Sequence, residues 1–137
     1  MTPDGRFVAF CGQAVPLSST CLCEWDSQLA QLVYTNAAIS GISNVAVSAD
    51  GNRIAYATAS ALYVLDRAAS TTITIATNAF NARSRLRFSG DGRYLVYVAP
   101  INGINQVFLS QVQPYASTLV SRSSSPSVAA YESGRQR

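Results

Sequence analysis

Apolar and polar residues alternate with a period of two along three stretches of this chain, and an Asp-Gly pair divides each stretch. Before the second pair, Val45 and Val47 alternate with small or polar residues, and Ile54 and Tyr56 continue the alternation after it. A period of two places successive side chains on opposite faces of a strand, so it predicts half-buried β-strands. Asp-Gly between two such runs predicts a hairpin, because Gly accepts a positive φ and Asp hydrogen-bonds the nearby backbone.

The hairpin belongs to a motif that occurs three times, with the pattern Ser/Thr-x-Asp-Gly-x-x-aliphatic-small-aromatic. The copies span residues 2–10, 48–56 and 89–97 and align without gaps. Their turns recur every 41 to 46 residues, at Asp4-Gly5, Asp50-Gly51 and Asp91-Gly92. A recurrence of this length indicates a repeat architecture in which each unit is one small supersecondary structure.

Two more strands are predicted after each hairpin. The third strand of each unit falls at residues 21–25, 62–66 and 106–109, and the fourth at residues 31–34, 72–75 and 117–120. Four short strands in about 40 to 46 residues are typical of a β-propeller blade. The sequence therefore predicts an all-β propeller fold with three four-stranded blades at residues 1–41, 42–82 and 83–125.

The segments Ser48-Ala49-Asp50-Gly51 and Ser89-Gly90-Asp91-Gly92 resemble the WD40-like (PD40) repeat of TolB-like propellers. Typical WD40 blades differ, since they carry Gly-His and Trp-Asp pairs, whereas this chain has no His and a single Trp-Asp at Trp25-Asp26. The resemblance implies a propeller that acts in binding or beside an enzyme domain. It also implies a periplasmic or secreted location, although residues 1–5 do not have the pattern of a signal peptide.

The two ends of the chain are out of step with the repeat. Residues 126–135 align with residues 43–52, which predicts that 126–137 are the first strand of a further blade. Met1 falls where Val47 and Phe88 fall, so the first blade should lack its first strand. Either the chain is a fragment of a longer or engineered propeller, or it self-associates. In a dimer, two three-bladed arcs would make six blades, and each tail could complete the first blade of the partner.

Composition narrows the class of protein. Hydrophobic residues make up 48% and charged residues 12% of the chain, which is the opposite of a disordered sequence. The ten cationic residues are all Arg, and the net charge of +3 is spread along the chain, which argues against nucleic acid as a partner. No apolar run approaches the roughly 18 residues that a membrane span needs, so no membrane insertion is expected.

The three cysteines leave two interpretations open. Cys21 and Cys23 lie two residues apart and should share one face of a strand. Cys11 could form a disulfide with either of them, or all three could be buried, reduced thiols. A closed zinc site is not expected, since there is no His and a fourth ligand would have to be a carboxylate or come from a second chain.

Two sets of charged residues are candidate binding sites. Arg83, Arg85 and Arg87 alternate before the third hairpin and share a face, so they could edge a central channel and attract anions. The turn aspartates Asp4, Asp50 and Asp91 recur at one structural position and could form a cation-binding ring. The interpretation we favour for the aspartates is turn chemistry that repeats because the turn repeats.

Catalysis is not expected, because the residue types it needs are missing. The chain has neither His nor Lys, and it has no glycine-rich phosphate loop, so no catalytic residue and no cofactor is predicted. We predict a non-catalytic binding or scaffold propeller that takes a ligand or a protein partner at its channel mouth. The alternatives are the accessory propeller of a prolyl-oligopeptidase-like hydrolase, and an isolated or engineered fragment that oligomerises without a native ligand.

Overall fold

The computed structural model of the protein describes residues 1–13, 20–39, 41–77 and 85–120. In these ranges the chain forms β-strands and turns. The strands are β1 (Phe7–Gln13), β2 (Thr20–Asp26), β3 (Gln31–Asn36), β4 (Asn44–Val47), β5 (Arg53–Ala57), β6 (Leu62–Asp66), β7 (Thr71–Ala76), β8 (Arg87–Phe88), β9 (Tyr94–Ile101), β10 (Ile104–Val112) and β11 (Tyr115–Leu119).

The strands form three antiparallel sheets in which each strand pairs with the next one along the chain. Sheet 1 contains β1–β3, sheet 2 contains β4–β7 and sheet 3 contains β8–β11. The predicted all-β architecture of short meandering sheets is confirmed. Sheet 1 has three strands, whereas sheets 2 and 3 have four. The strand predicted within residues 126–137 lies outside the described residues.

Sheet 2 is packed between the other two sheets and is apolar on both faces. One face, with Ile54 and Tyr56, packs against Leu22 of sheet 1. The other face, with Val64, packs against Leu95 of sheet 3. Since successive side chains of a strand alternate between faces, a strand that is covered on both sides must be apolar nearly throughout, as β5 is.

The first strands of the sheets lie side by side. In sheets 2 and 3 these strands are β4 and β8, and β4 contacts both β1 and β8. The repeat thus brings equivalent residues of successive units to one edge of the stack, which is where a binding site built from several sheets can form.

Candidate ligand site

One hydrogen-bond network holds each of the three Asp-Gly turns. In the first turn, Asp4 Oδ1 accepts from Thr2 Oγ1 at 2.6 Å and from the Arg6 amide at 3.0 Å. The Thr2 hydroxyl in turn accepts from the Phe7 amide at 2.9 Å, and the Gly5 residue between them has a φ of +74°. The equivalent bonds recur around Asp50 and Asp91.

These networks explain structurally why an aspartate recurs in each turn. The hydrogen bond from Thr2 is the main reason that the pKa of Asp4 is lowered, and the bond from Ser89 has the same effect on Asp91. Each carboxylate is held by its own turn, since its Oδ1 already accepts two hydrogen bonds. Among the residues that the structure describes, no group of three or more Cys, Asp or Glu side chains could hold a metal ion.

The turns and first strands surround a hollow of about 620 Å³, which we call the central hollow. It is lined by residues 1–3 of the first unit, by Val47 and Ala49 of the second, and by residues 87–90 of the third. Met1, Val47 and Phe88 occupy the same position of the repeat, so the three units contribute equivalent surfaces. Apart from Arg87, the lining side chains are apolar or small hydroxyl groups.

Arg87 is the charged residue of this hollow, and it is exposed. It pairs with Val96 in the sheet register, while its neighbours Leu86 and Phe88 pack into the core. Arg85 is also exposed, as the alternation predicts, but it does not line the hollow. Arg83 lies outside the described residues, so the structure brings one of the three predicted arginines to the hollow.

Other arginines are engaged in ion pairs, which distinguishes them from Arg87. Arg6 contacts Asp26 at 3.0 Å, and Arg53 contacts Asp66 at 3.5 Å. No ion pair within the described ranges involves Arg85 or Arg87. A guanidinium without a carboxylate partner at the rim of a concave surface is suited to bind an anionic group.

A buried carboxylate, which the sequence reasoning did not single out, lies between sheets 1 and 2. Glu24 is 0% exposed, and its Oε2 lies 2.8 Å from Arg67 Nε. The Nε–H of Arg67 donates to the Gly51 carbonyl instead, and no described residue donates a hydrogen bond to either oxygen of Glu24. Burial raises the pKa of Glu24 to about 7, against the attraction of Arg67. The sequence pattern that could have indicated this buried carboxylate is the position of Glu24 two residues after Leu22, on the same face of the strand.

The cysteines do not form the disulfide that was one of two predicted alternatives. All three are free, with Cys21 and Cys23 buried and Cys11 exposed. Cys11 pairs with Leu22 in the register, so its side chain points to the face opposite Cys21 and Cys23 and cannot reach them. The sulfur atoms of Cys21 and Cys23 lie 3.1 Å apart on a shared face, as the sequence predicted.

The fold is similar to that of solved β-propellers. The chain superposes on TolB from Acinetobacter baumannii with a TM-score of 0.64 and 12% identity, over 88% of this chain and 31% of that one. It superposes on the β-propeller domain of the Trilobed protease from Pyrococcus furiosus with a TM-score of 0.61 and 17% identity, over 86% and 40% of the two chains.

The tricorn protease is a third similar structure, with a TM-score of 0.65 and 12% identity over 87% of this chain and 12% of that one. No family model and no curated protein matches the sequence. The chain therefore has the fold of part of a TolB-like β-propeller, and each of its three sheets corresponds to a blade. It spans about a third of the length of the TolB structure.

In the described part of the chain, no helix is long and apolar enough to cross a membrane.

Proposed function

We propose that this chain is a non-catalytic binding module that takes an anionic group of a ligand or protein partner at the central hollow. One observation carries the proposal: Arg87 is exposed on a hollow of about 620 Å³ that all three repeats line, and it has no carboxylate partner in the described ranges. A hollow that combines apolar side chains with small hydroxyl groups and one charged side chain can hold a ligand and orient its anionic group.

The inventory of side chains supports a binding role over catalysis. The chain has no His and no Lys, and the one carboxylate whose pKa is near neutral, Glu24, is sealed between two sheets. A general acid or base must come within hydrogen-bond reach of its substrate, which a fully buried group does not.

The test is binding of a fluorescent acidic decapeptide, poly-glutamate, to the full chain and to Arg87→Gln. We expect the substitution to weaken binding about tenfold or more, because a charge-assisted hydrogen bond is worth about 1.5–3 kcal/mol. Arg93→Gln is the matched control, since Arg93 is exposed, lies outside the hollow and has the same charge. Equal loss in both variants would mean non-specific attraction to a basic protein and would refute the site.

A second candidate is an accessory propeller of a hydrolase, such as a prolyl-oligopeptidase-like peptidase. The specific support is the likeness to the propeller domain of a protease, Trilobed protease, and to the tricorn protease. Sequence of the parent gene separates the candidates, because a downstream Gly-x-Ser-x-Gly segment would favour a hydrolase.

We also propose that the chain self-associates, most simply as a dimer of two three-bladed arcs. The support is the apolar surface that both ends of the stack expose, since unpaired apolar faces are normally covered. Light scattering on a size-exclusion column tests this, and a mass of twice the 14.6 kDa chain is expected. An isolated propeller fragment with no ligand is the outcome if neither self-association nor acidic-peptide binding is observed.

A further inference from the structure

The two junctions between neighbouring sheets use the same position of the repeat, the third residue after the turn aspartate. At the first junction this residue is Phe7, whose ring covers the glycine of the next turn so closely that a Cβ on Gly51 would lie 2.3 Å from its Cδ2. At the second junction it is Arg53, whose Nη1 donates to the Gly92 carbonyl at 2.9 Å. In both cases a side chain of one sheet reaches the turn glycine of the next sheet.

The third copy of this position is Tyr94, which has no next turn to reach within the described residues. By strand alternation its side chain lies on the face of sheet 3 that points away from sheet 2, because Leu95 points toward sheet 2. The Tyr94 side chain is partly exposed. The last sheet thus presents an aromatic residue where the first sheet presents Phe7.

The matching turn glycine at the other end of the stack is Gly5, and it is open. A Cβ built on Gly5 would meet nothing within 4 Å, whereas Gly51 and Gly92 both have neighbours within that distance. The first sheet therefore has an uncovered turn glycine, Gly5. The third sheet has a side chain, Tyr94, at the repeat position that covers such a glycine at the other junctions.

The sheet faces beside these two residues are apolar. We call the face of sheet 1 that points away from sheet 2 its outer face, and Phe10, Trp25 and Leu32 are 37% to 47% exposed on it. Phe10 and Leu32 also line an apolar hollow of about 310 Å³. The outer face of sheet 3 carries Val96, which is 39% exposed and pairs with Leu109 on one side and with the exposed Arg87 on the other.

We propose that the outer face of sheet 3 of one copy docks on the outer face of sheet 1 of a second copy, with Tyr94 packed on Gly5. This proposal rests on the self-association put forward above and specifies its contact. We infer a second copy as the partner because Tyr94 and Gly5 occupy the same repeat positions as the residues that meet at the two junctions within the chain. Such a head-to-tail contact can close into a ring of two copies, in which each copy uses both of its ends.

The test compares the solution mass of the full chain with that of three variants at one concentration. Tyr94→Ala removes the ring, and Gly5→Asn adds a side chain where the ring would lie, while Asn tolerates the positive φ. Gly103→Asn is the matched control, because Gly103 also has a positive φ and open space around it but lies in the β9–β10 turn. We expect Tyr94→Ala and Gly5→Asn to raise the dimer dissociation constant tenfold or more and Gly103→Asn to leave it unchanged.

The outcomes separate this contact from the broader proposals. A wild-type monomer at all concentrations overturns both self-association and the contact. A dimer that both variants leave intact overturns the contact alone. Arg87 pairs with Val96 and therefore shares the outer face of sheet 3, so acidic-peptide binding is measured on Tyr94→Ala as well as on the wild type. That variant, when monomeric, tests the hollow apart from the contact.

Photocrosslinking from p-benzoylphenylalanine at position 94 keeps the proposal testable if a variant fails to fold. A mixture of ¹⁵N-labelled and unlabelled protein distinguishes crosslinks between copies from those within one copy. We expect crosslinks between copies to the peptide that contains Gly5. Crosslinks from position 94 to residues 121–137 of the same copy would overturn the proposal, because the chain's own tail would then cover this face.

Discussion

Arg67 Nε lies 2.8 Å from Oε2 of Glu24, across the junction between sheets 2 and 1. The pair lies beside the ring of Phe7, which has the Arg6 guanidinium 4.6 Å from its centroid and the Arg67 guanidinium 5.7 Å from it. The junction therefore combines the buried Glu24 carboxyl group with an aromatic ring, that of Phe7, which two guanidinium groups contact. Such a site is sensitive both to protonation and to small changes in volume.

We predict that Glu24 makes the protein less stable as the pH rises from about 4.5 to about 7. Burial raises the pKa of Glu24 from 4.5 to about 7, with Arg67 opposing the shift and Asp26 and Asp50 adding to it. Between these values the folded state keeps a proton that the unfolded state has lost, so stability falls with pH. The free energy of unfolding of wild type minus that of Glu24→Gln should fall by on the order of 1–3 kcal/mol over this range.

Thermal or urea unfolding at several pH values measures this difference, and Asp26→Asn is the control of opposite sign. The hydrogen bond from Arg6 is the main reason that the pKa of Asp26 is lowered from 3.8, so the stability it contributes is present above that value and is lost as the pH falls. The prediction would be contradicted if the difference in free energy of unfolding between the wild type and Glu24→Gln stayed the same from pH 4.5 to pH 7.

Gly51→Ala should destabilise the protein more than Gly5→Ala. Both glycines have a φ above +70°, so both substitutions carry a backbone cost of about 1–2 kcal/mol. A Cβ at Gly51 would also collide with the ring of Phe7, which adds about 1–3 kcal/mol of overpacking, while Gly5 has open space. Urea unfolding of both variants measures the difference, and equal losses would show that Phe7 moves aside freely.

Ser48→Ala should break the hydrogen-bond network of the sheet 2 turn and lower the free energy of unfolding. The Ser48 side chain is buried, donates to Asp50 Oδ1 at 2.5 Å and accepts from the Arg53 amide at 2.9 Å. Its loss leaves that amide without its hydroxyl partner, so we expect a cost of about 1–3 kcal/mol. Ser60→Ala, at an exposed serine, should change the free energy of unfolding by less than about 0.5 kcal/mol. Similar effects at the two sites would refute a structural role for the motif.

One of the three thiols should react quickly in the native protein. Cys11 is exposed, whereas Cys21 and Cys23 are buried, and burial raises the pKa of Cys23 to about 11. Since the thiolate is the reactive form, a disulfide reagent should modify Cys11 first and the other two only on unfolding. Cys11→Ser should abolish the fast phase, and two or more fast thiols in the native wild type would contradict the burial of this pair.

The order of strands could be read from the sequence because its causes are local. The alternation of apolar residues and the conformational needs of Asp4-Gly5, Asp50-Gly51 and Asp91-Gly92 act within a few residues, and each turn network closes inside its own motif. The shared face predicted for Arg85 and Arg87 has the same local cause, and both residues are exposed in the structure, with the buried Leu86 between them.

The disulfide alternative was wrong because a bridge depends on register. Cys11 and Cys21 are close in the sequence, and their strands do pair. The register places Cys11 opposite Leu22, however, and a shift of one residue exchanges the two faces of a strand. Spacing along the chain does not contain that information.

The sequence by itself determined the repeat, the hairpins, the all-β class and the identity of the turn residues. Only the tertiary structure decided which residues of different repeats meet: Arg87 at the hollow with Val47, Phe7 over Gly51, and Glu24 beside Arg67. The physical reason is that the first set depends on backbone preferences and side-chain periodicity over a few residues. The contacts between repeats depend on how the sheets stack, which brings together residues some 40 positions apart. The local sequence around either residue does not specify the burial or the charge of its surroundings.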